Sequence, residues 1–250
     1  MQRGLQTLIR LALLALVLGL WEVLPRIGAV NPMLLPPLSD VATTLWGLLG
    51  RANVREAIAV TTLEVITAFA IAVPLGAAAG ILLAENEYLG AIFKPMLFYV
   101  FSIPKSIFLP LFILAFGIGF GQKVGYAAFT TTFVVMMSAT AAVESVRGDY
   151  ILVARSFGAT PAQIIWRIYV PCMMPVLLET LRISMIFNFT GVMIAEMYAS
   201  RTGIGHLISN WGENFQLPQL FAGIIILSAV AIAFNETVRR LEARVGAWRQ

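Results

Sequence analysis

Long apolar runs separated by short polar segments dominate the chain. A membrane crossing needs about 20 predominantly apolar residues in succession, and the runs that meet this requirement are residues 5–24, 58–84, 94–118, 124–143, 174–198 and 218–236. Ser39 and Asp40, which follow several prolines, predict the start of a short surface helix over Val41–Leu49. The pattern therefore predicts an all-α polytopic membrane protein with about six transmembrane helices.

Composition agrees with this prediction and excludes several classes of protein. Of the 250 residues, 59% are hydrophobic and 12% are charged, whereas soluble domains are about 25% charged. His206 and Cys172 are the only residues of their types, so a metal or haem site is not expected, because such sites need several converging ligands. The net charge of +4 is scattered between apolar runs, which argues against a nucleic-acid surface.

The basic residues predict how the chain is oriented in the membrane. With the amino terminus inside, ten Lys and Arg residues fall in inner segments and five, including Lys123, in outer ones. Basic loops stay on the cytoplasmic side, so both termini are expected in the cytoplasm. Residues 144–173 then form a cytoplasmic segment.

Capping signals in that segment predict two short helices joined by a turn. Asp149 is a candidate cap for the first helix, and Gly158 stands where a left-handed residue would end it. The next helix is predicted to begin with Thr160 as its N-cap, Pro161 at the first helical position and Gln163 as the glutamine of a capping box. The second helix is expected to end near Tyr169, with Pro171 where the chain turns back to the membrane. A structured helix pair in a loop suggests a docking surface.

These helices carry a motif. Ala154-Arg155-Ser156-Phe157-Gly158, followed after nine residues by Ile168-Tyr169-Val170-Pro171, resembles the cytoplasmic "EAA" motif of ABC importer permeases. The usual opening Glu-Ala-Ala is here Leu152-Val153-Ala154, so the acidic residue is missing. Ile103-Pro104-Lys105 and Ala195-Glu196-Met197 are similar to segments of the nitrate/sulfonate/taurine-type permeases.

The resemblance covers essentially the whole chain and implies a type I importer fold. It implies one permease domain over residues 1–250: a first crossing and outer surface segment over 1–57, then a core over 58–240 with coupling helices at about 149–170. It also implies a plasma (inner) membrane location in bacteria, a second copy of the chain, two cytoplasmic ATPase subunits and an external solute-binding protein. The implied cargo is a small organic or oxyanion solute. ATP and Mg²⁺ would be bound by the ATPase partners, and this chain independently lacks the G-x-x-x-x-G-K-[ST] phosphate loop.

Two sets of residues are candidates for function. The resemblance and the capping pattern assign ATPase coupling to Leu152, Val153, Ala154, Arg155, Phe157, Gly158, Ala159, Thr160, Pro161, Gln163, Ile168 and Pro171. Polar groups inside membrane spans usually face a cavity or pair with one another, which makes Glu64, Lys105, Asn188, Thr190 and Glu196 candidates for the substrate path. For Lys105, a structural role at the break made by Pro104 is an equal alternative.

Other functions remain open from the residues. A gradient-driven secondary transporter would be expected to show an intramembrane ion site and an internal repeat, and no clear repeat is visible. A scaffold subunit without a path would make Lys105 and Glu196 purely structural.

In crossing two, Gly76 and Gly80 are expected to let a neighbouring helix approach closely.

Overall fold

The computed structural model describes residues 2–146 and 148–246, and within them the secondary structure is helical, with no strand. The α-helices are α1 (Gln2–Arg26), α2 (Leu38–Gly50), α3 (Ala52–Glu85), α4 (Glu87–Ser102), α5 (Leu109–Phe116), α6 (Phe120–Glu144), α7 (Gly148–Ser156), α8 (Pro161–Ile164), α9 (Val170–Tyr198), α10 (Ile204–Glu213) and α11 (Leu217–Gly246). A 3₁₀ turn over Lys105–Phe108 precedes α5, and a π-helical turn over Ile165–Tyr169 joins α8 to α9.

The membrane spans confirm the predicted all-α polytopic class. Five helices in the described part of the chain are long and apolar enough to cross a membrane, and a bent pair makes a sixth candidate. That pair, Glu87–Ser102 with Lys105–Phe116, is bent by 93° at its break. The predicted third crossing over residues 94–118 is therefore not one straight helix, because Pro104 interrupts the helical hydrogen bonds where the sequence places it.

Contacts divide the chain into two compact units, of which the first comprises Met1–Val60 and Thr202–Ala229. In this unit the indole Nε1 of Trp21 donates to the Pro36 carbonyl at 3.1 Å. The Glu22 carboxylate accepts hydrogen bonds from the backbone N–H and the hydroxyl of Ser39, at 2.9 and 3.0 Å. A carboxylate from α1 thus accepts hydrogen bonds from the first turn of α2. The N-cap residue of α2 is Pro37 rather than the predicted Ser39 or Asp40.

The second unit comprises Thr61–Arg201 and Val230–Gln250 and is built around the packing of α6 against α9. Helix α3 packs closely on α6 at its two glycines. A Cβ on Gly76 would lie 2.7 Å from the Val135 Cβ, and one on Gly80 would lie 2.5 Å from the Met136 carbonyl oxygen. The predicted close approach at these glycines is confirmed, and it allows backbone-to-backbone packing without side chains between the helices.

Candidate functional site

The turn between α7 and α8 has the geometry that its sequence predicts. Gly158 has φ +77°, and the N–H groups of Gly158 and Ala159 donate to the carbonyls of Arg155 and Ala154 at 2.9 and 3.0 Å. This pair of hydrogen bonds is a Schellman motif, which ends a helix with a left-handed residue. The Thr160 hydroxyl and the Gln163 side chain then form the capping box that starts α8. Asp149 lies in the first turn of α7, which begins at Gly148.

The second helix does not end near Tyr169 as the sequence predicted. The chain remains helical from Pro161 through Tyr198, because a π turn over Ile165–Tyr169 separates α8 from α9. The Val170 N–H donates to the Ile165 carbonyl, five residues back. Pro171 has no N–H to donate and would clash in a regular helix, and the wider π turn just before it accommodates the proline without ending the helix.

Polar contacts and a small core attach the helix pair to the spans. The Tyr169 hydroxyl donates to a carboxylate oxygen of Glu85 at the end of α3, and Arg155 approaches the other oxygen at 3.8 Å. Burial, together with the Glu85 carboxylate, raises the pKa of Tyr169 above its ordinary value, so this hydroxyl remains a proton donor throughout the neutral range. Ile164, Tyr169 and Met173 pack against the end of α6 in one buried cluster.

The helix pair also has an exposed surface of mixed polar and apolar character. Phe157 on this surface is 88% exposed. A notch of about 410 Å³ between the helices is lined by Ala154, Phe157, Gly158, Ala159, Gln163, Ile164, Arg167 and Ile168. Of the predicted coupling residues, Leu152, Val153, Arg155, Thr160, Pro161 and Gln163 are also exposed, whereas Ile168 and Pro171 are partly buried. Large apolar groups around a notch outside the spans are typical of an interaction surface.

A second site lies where α4 gives way to α5. A cleft of about 380 Å³ is lined there by Phe101, Ser102, Ile103, Pro104, Lys105, Ser106, Tyr126, Thr130, Phe187, Thr190, Gly191 and Ile194. Its size is within the range of small-molecule sites. The break thus brings together two of the predicted path residues, Lys105 and Thr190, which are far apart in the sequence.

The other three predicted path residues lie inside the helix bundle. Glu64 and Glu196 are fully buried, Glu64 forms an ion pair with Lys123, and the Thr61 hydroxyl donates to Glu196 at 2.6 Å. This buried charge cluster joins α3, α6 and α9 and does not line the cleft at Lys105.

Lys123 itself was wrongly placed in an outer loop by the sequence. It lies in the first turn of α6 and its side chain is fully buried. The error arose because a lysine before an apolar run is typical of a span end, whereas the carboxylate that neutralises this lysine comes from another helix. Beside it, the Gln122 side-chain amide is buried and has no hydrogen-bond partner among the described residues.

Asn188 is also buried in the bundle. Its side-chain amide donates to the Val65 carbonyl at 2.8 Å, and its oxygen accepts from the Thr131 hydroxyl at 3.3 Å. Asn188 therefore links α9 to α3 and α6. Over the described residues, no three His, Cys, Asp or Glu side chains form a group that could hold a metal ion.

Residues 72–247 match the family described as "Binding-protein-dependent transport system inner membrane component". The chain belongs to this family of ABC importer permeases. Members of the family are membrane permease subunits and are not themselves ATPases. The permease is accordingly a multi-span inner-membrane transport protein.

Relatives match the permease over nearly its whole length. The taurine transport system permease protein TauC of Escherichia coli (strain K12) is 27% identical over 97% of this chain and 90% of that protein. The putative aliphatic sulfonates transport permease protein SsuC of Bacillus subtilis (strain 168) is 26% identical over 96% and 87%. The formylaminopyrimidine transport permease protein ThiX of Halalkalibacterium halodurans is 27% identical over 100% and 99%.

Solved structures share the fold of the permease. A chain of a bacterial ABC transporter involved in the import of the acidic polysaccharide alginate superposes with a TM-score of 0.68, at 16% identity and 97% coverage of both chains. A chain of the inward-facing MetNI methionine ABC transporter gives 0.63, at 19% identity, covering 86% of this chain and 99% of that one. The type I importer fold is thereby confirmed.

Tyr169 is a site residue to which the sequence assigned no separate role, since its partner Glu85 is 84 residues away. We expect Tyr169→Phe to destabilise the permease by about 1 to 2 kcal/mol, because a hydrogen bond to a charged acceptor is lost. The measurement is the thermal unfolding midpoint in detergent. Tyr99→Phe, at a ring that is 76% exposed, is the control and should change nothing. Equal midpoints for the two variants would show that the contact with Glu85 does not hold the helix pair.

Proposed function

We propose that the permease forms the translocation path for a small organic or oxyanion solute, such as a sulfonate or taurine, and that α7 and α8 couple ATP hydrolysis in the partner subunits to movements of that path. The observation that carries this proposal is the helix pair: its turn is set by a Schellman motif and a capping box, and it presents an exposed notch lined by both apolar and polar side chains. The relatives named for taurine and aliphatic sulfonates support the solute class.

The partners follow from this role. A second copy of the permease would complete the path, two ATPase subunits would receive the helix pairs and bind ATP and Mg²⁺, and a solute-binding protein would deliver the solute. A groove in the ATPase that accepts Phe157 and the turn at Gly158 would fit the exposed surface. A side chain of the ATPase could then fill the notch beside the turn. Family membership leaves the gradient-driven carrier without support.

The orientation has both termini in the cytoplasm. Removing buried Lys123 from the outer group leaves four basic residues there against ten in the inner segments, which strengthens the predicted bias. The helix pair, which follows α6, then lies on the cytoplasmic side with the ATPase. Cysteine labelling of the α7–α8 turn in inverted membranes, compared with right-side-out membranes, tests this orientation.

Partner recovery is the direct test of the proposal. We expect purification of the tagged permease from its native cells in mild detergent to yield a phosphate-loop ATPase in about equal amount. Mass spectrometry would identify it. Failure to recover such an ATPase in several mild detergents would contradict the proposal.

Gly158→Asp is expected to lower solute uptake by about tenfold or more while leaving the permease folded. An aspartate can adopt the left-handed conformation at modest cost, and no atom lies within 4 Å of the added Cβ. Its charge, however, would be buried unpaired against the partner, which costs about 2 to 5 kcal/mol at an interface. Uptake and ATP hydrolysis are measured on the reconstituted complex.

Gly28→Asp is the matched control. Gly28 also has positive φ, +74°, and open space around its Cβ, but it lies between α1 and α2. This variant bears the same strain and charge and should transport normally. Gly158→Asn adds a side chain of nearly the same size without the charge. Comparing its uptake with that of Gly158→Asp therefore separates the effect of charge from the effect of bulk. Normal uptake by Gly158→Asp, or an equal loss in Gly28→Asp, would contradict a docking role for the turn.

A further inference from the structure

The cleft at the break between α4 and α5 contains Lys105, which forms no ion pair with any carboxylate of the described residues. The Lys105 ammonium donates to the Phe101 carbonyl at 3.2 Å and lies 4.1 Å from the centre of the Phe101 ring. Both contacts are to one residue at the end of α4, so they hold the amine at the break without neutralising it.

The contacts of Lys105 leave it able to bind a ligand. An ammonium group has three N–H donors, and the Phe101 carbonyl accepts from it at 3.2 Å. The ring face attracts the cation without using a hydrogen-bond donor. Lys105 is only partly buried and lines the cleft, so donors remain for a solute while the side chain is held in one place.

The other polar side chains that line the described part of the cleft are uncharged. The hydroxyls of Ser102 and Thr190 donate to the carbonyls of Phe98 and Ile186, at 2.9 and 2.8 Å. Their protons are thus engaged, and their oxygens offer mainly lone pairs. Lys105 is the one cationic side chain among the described lining residues, and no carboxylate is among them. The charge of the cleft is therefore set by Lys105.

We propose that this cleft is an anion-binding site on the translocation path, in which Lys105 binds the negatively charged group of the solute and selects against cations. The proposal rests on the proposed transport function and adds to it the residue that determines charge specificity. Discontinuous helices commonly form the binding sites of membrane transporters, because a broken helix provides polar groups at membrane depth. An intramembrane cation without a counter-charge fits a path for anions.

The test measures charge selection in the cleft without requiring the natural solute. Thr190→Cys places a thiol in the cleft, and Cys172, an exposed free cysteine, is replaced by serine. The rate of modification by an anionic ethylsulfonate thiosulfonate reagent is compared with that by its cationic trimethylammonium analogue, in inverted and right-side-out membranes. We expect Lys105→Met to lower the anionic-to-cationic rate ratio by about tenfold, because a charged cleft raises the local concentration of opposite charge.

Two further variants fix the interpretation. Lys105→Arg should retain the ratio because it retains the charge, and Lys94→Met, which removes a lysine paired with Glu144 outside the cleft, should also leave it unchanged. A ratio that stays within twofold in Lys105→Met would overturn the proposal, as would a thiol that neither reagent reaches. These rates depend on the permease itself, so they are independent of ATPase recovery, and failure of one test is distinguishable from failure of the other.

Discussion

Lys123→Met is expected to destabilise the permease by about 3 to 5 kcal/mol, because it leaves the buried carboxylate of Glu64 without its cation. Both side chains of this ion pair are fully buried, so solvent cannot replace the lost interaction. The fully buried Glu196 next to Glu64 adds a second acidic group at the same point. The measurement is the thermal unfolding midpoint of the purified variant, together with its yield of folded protein from membranes.

The double variant Lys123→Met with Glu64→Gln supplies the rescue. Removing both partners removes the unpaired charge, so stability should return most of the way to that of the original chain. Lys94→Met is the matched control, since Lys94 pairs with Glu144 at the surface, where the two side chains are 31% and 51% exposed. Exposed pairs contribute at most about 1 kcal/mol. A double variant less stable than Lys123→Met alone would refute the charge-pairing explanation.

Gly80→Leu is expected to prevent α3 from packing on α6 and to abolish recovery of folded permease. The first added carbon alone would lie 2.5 Å from the Met136 carbonyl oxygen and 2.6 Å from the Ala139 Cβ. Backbone atoms of a helix cannot move aside cheaply, so the helices must separate along their length. Overpacking in a dense core costs about 1 to 3 kcal/mol per insertion, and a whole leucine at a backbone contact exceeds that range.

Gly19→Leu tests whether the loss is due to packing rather than to the change of residue type. Gly19 lies in α1 with no atom within 4 Å of its Cβ position, so leucine there should be tolerated. Size-exclusion profiles and yields of the two variants give the comparison. Equal yields would contradict the view that the glycine pair sets the distance between α3 and α6.

Local signals in the sequence predicted much of the fold because local physics determines those features. The spans follow from apolar length, and the α7–α8 turn follows from Gly158, Thr160 and Gln163, whose effects act within a few residues. The break at Pro104 follows from the missing proline N–H. Each of these features depends only on neighbours along the chain.

Contacts between distant residues explain the failures. The partner of Lys123 is 59 positions earlier in the sequence, at Glu64, and the side chain that accepts hydrogen bonds from Ser39 in the first turn of α2 is Glu22, in another helix. The helix continues through Pro171 because the π turn over Ile165–Tyr169 makes room for the proline ring. The sequence carries no clear signal for a π turn. The shared position of Lys105 and Thr190 in one cleft likewise required the packed structure.

The uninterrupted helix from Pro161 to Tyr198 has a mechanical consequence. A loop between a docking helix and a membrane span could absorb movement by changing its own shape, but α8 reaches α9 through a single π turn. Glu196 lies 35 residues beyond Pro161, about 50 Å along a helix axis. Because no loop separates α8 from α9, a displacement of α8 is expected to move the cytoplasmic end of α9 with it, on the same helix that contains the buried Glu196.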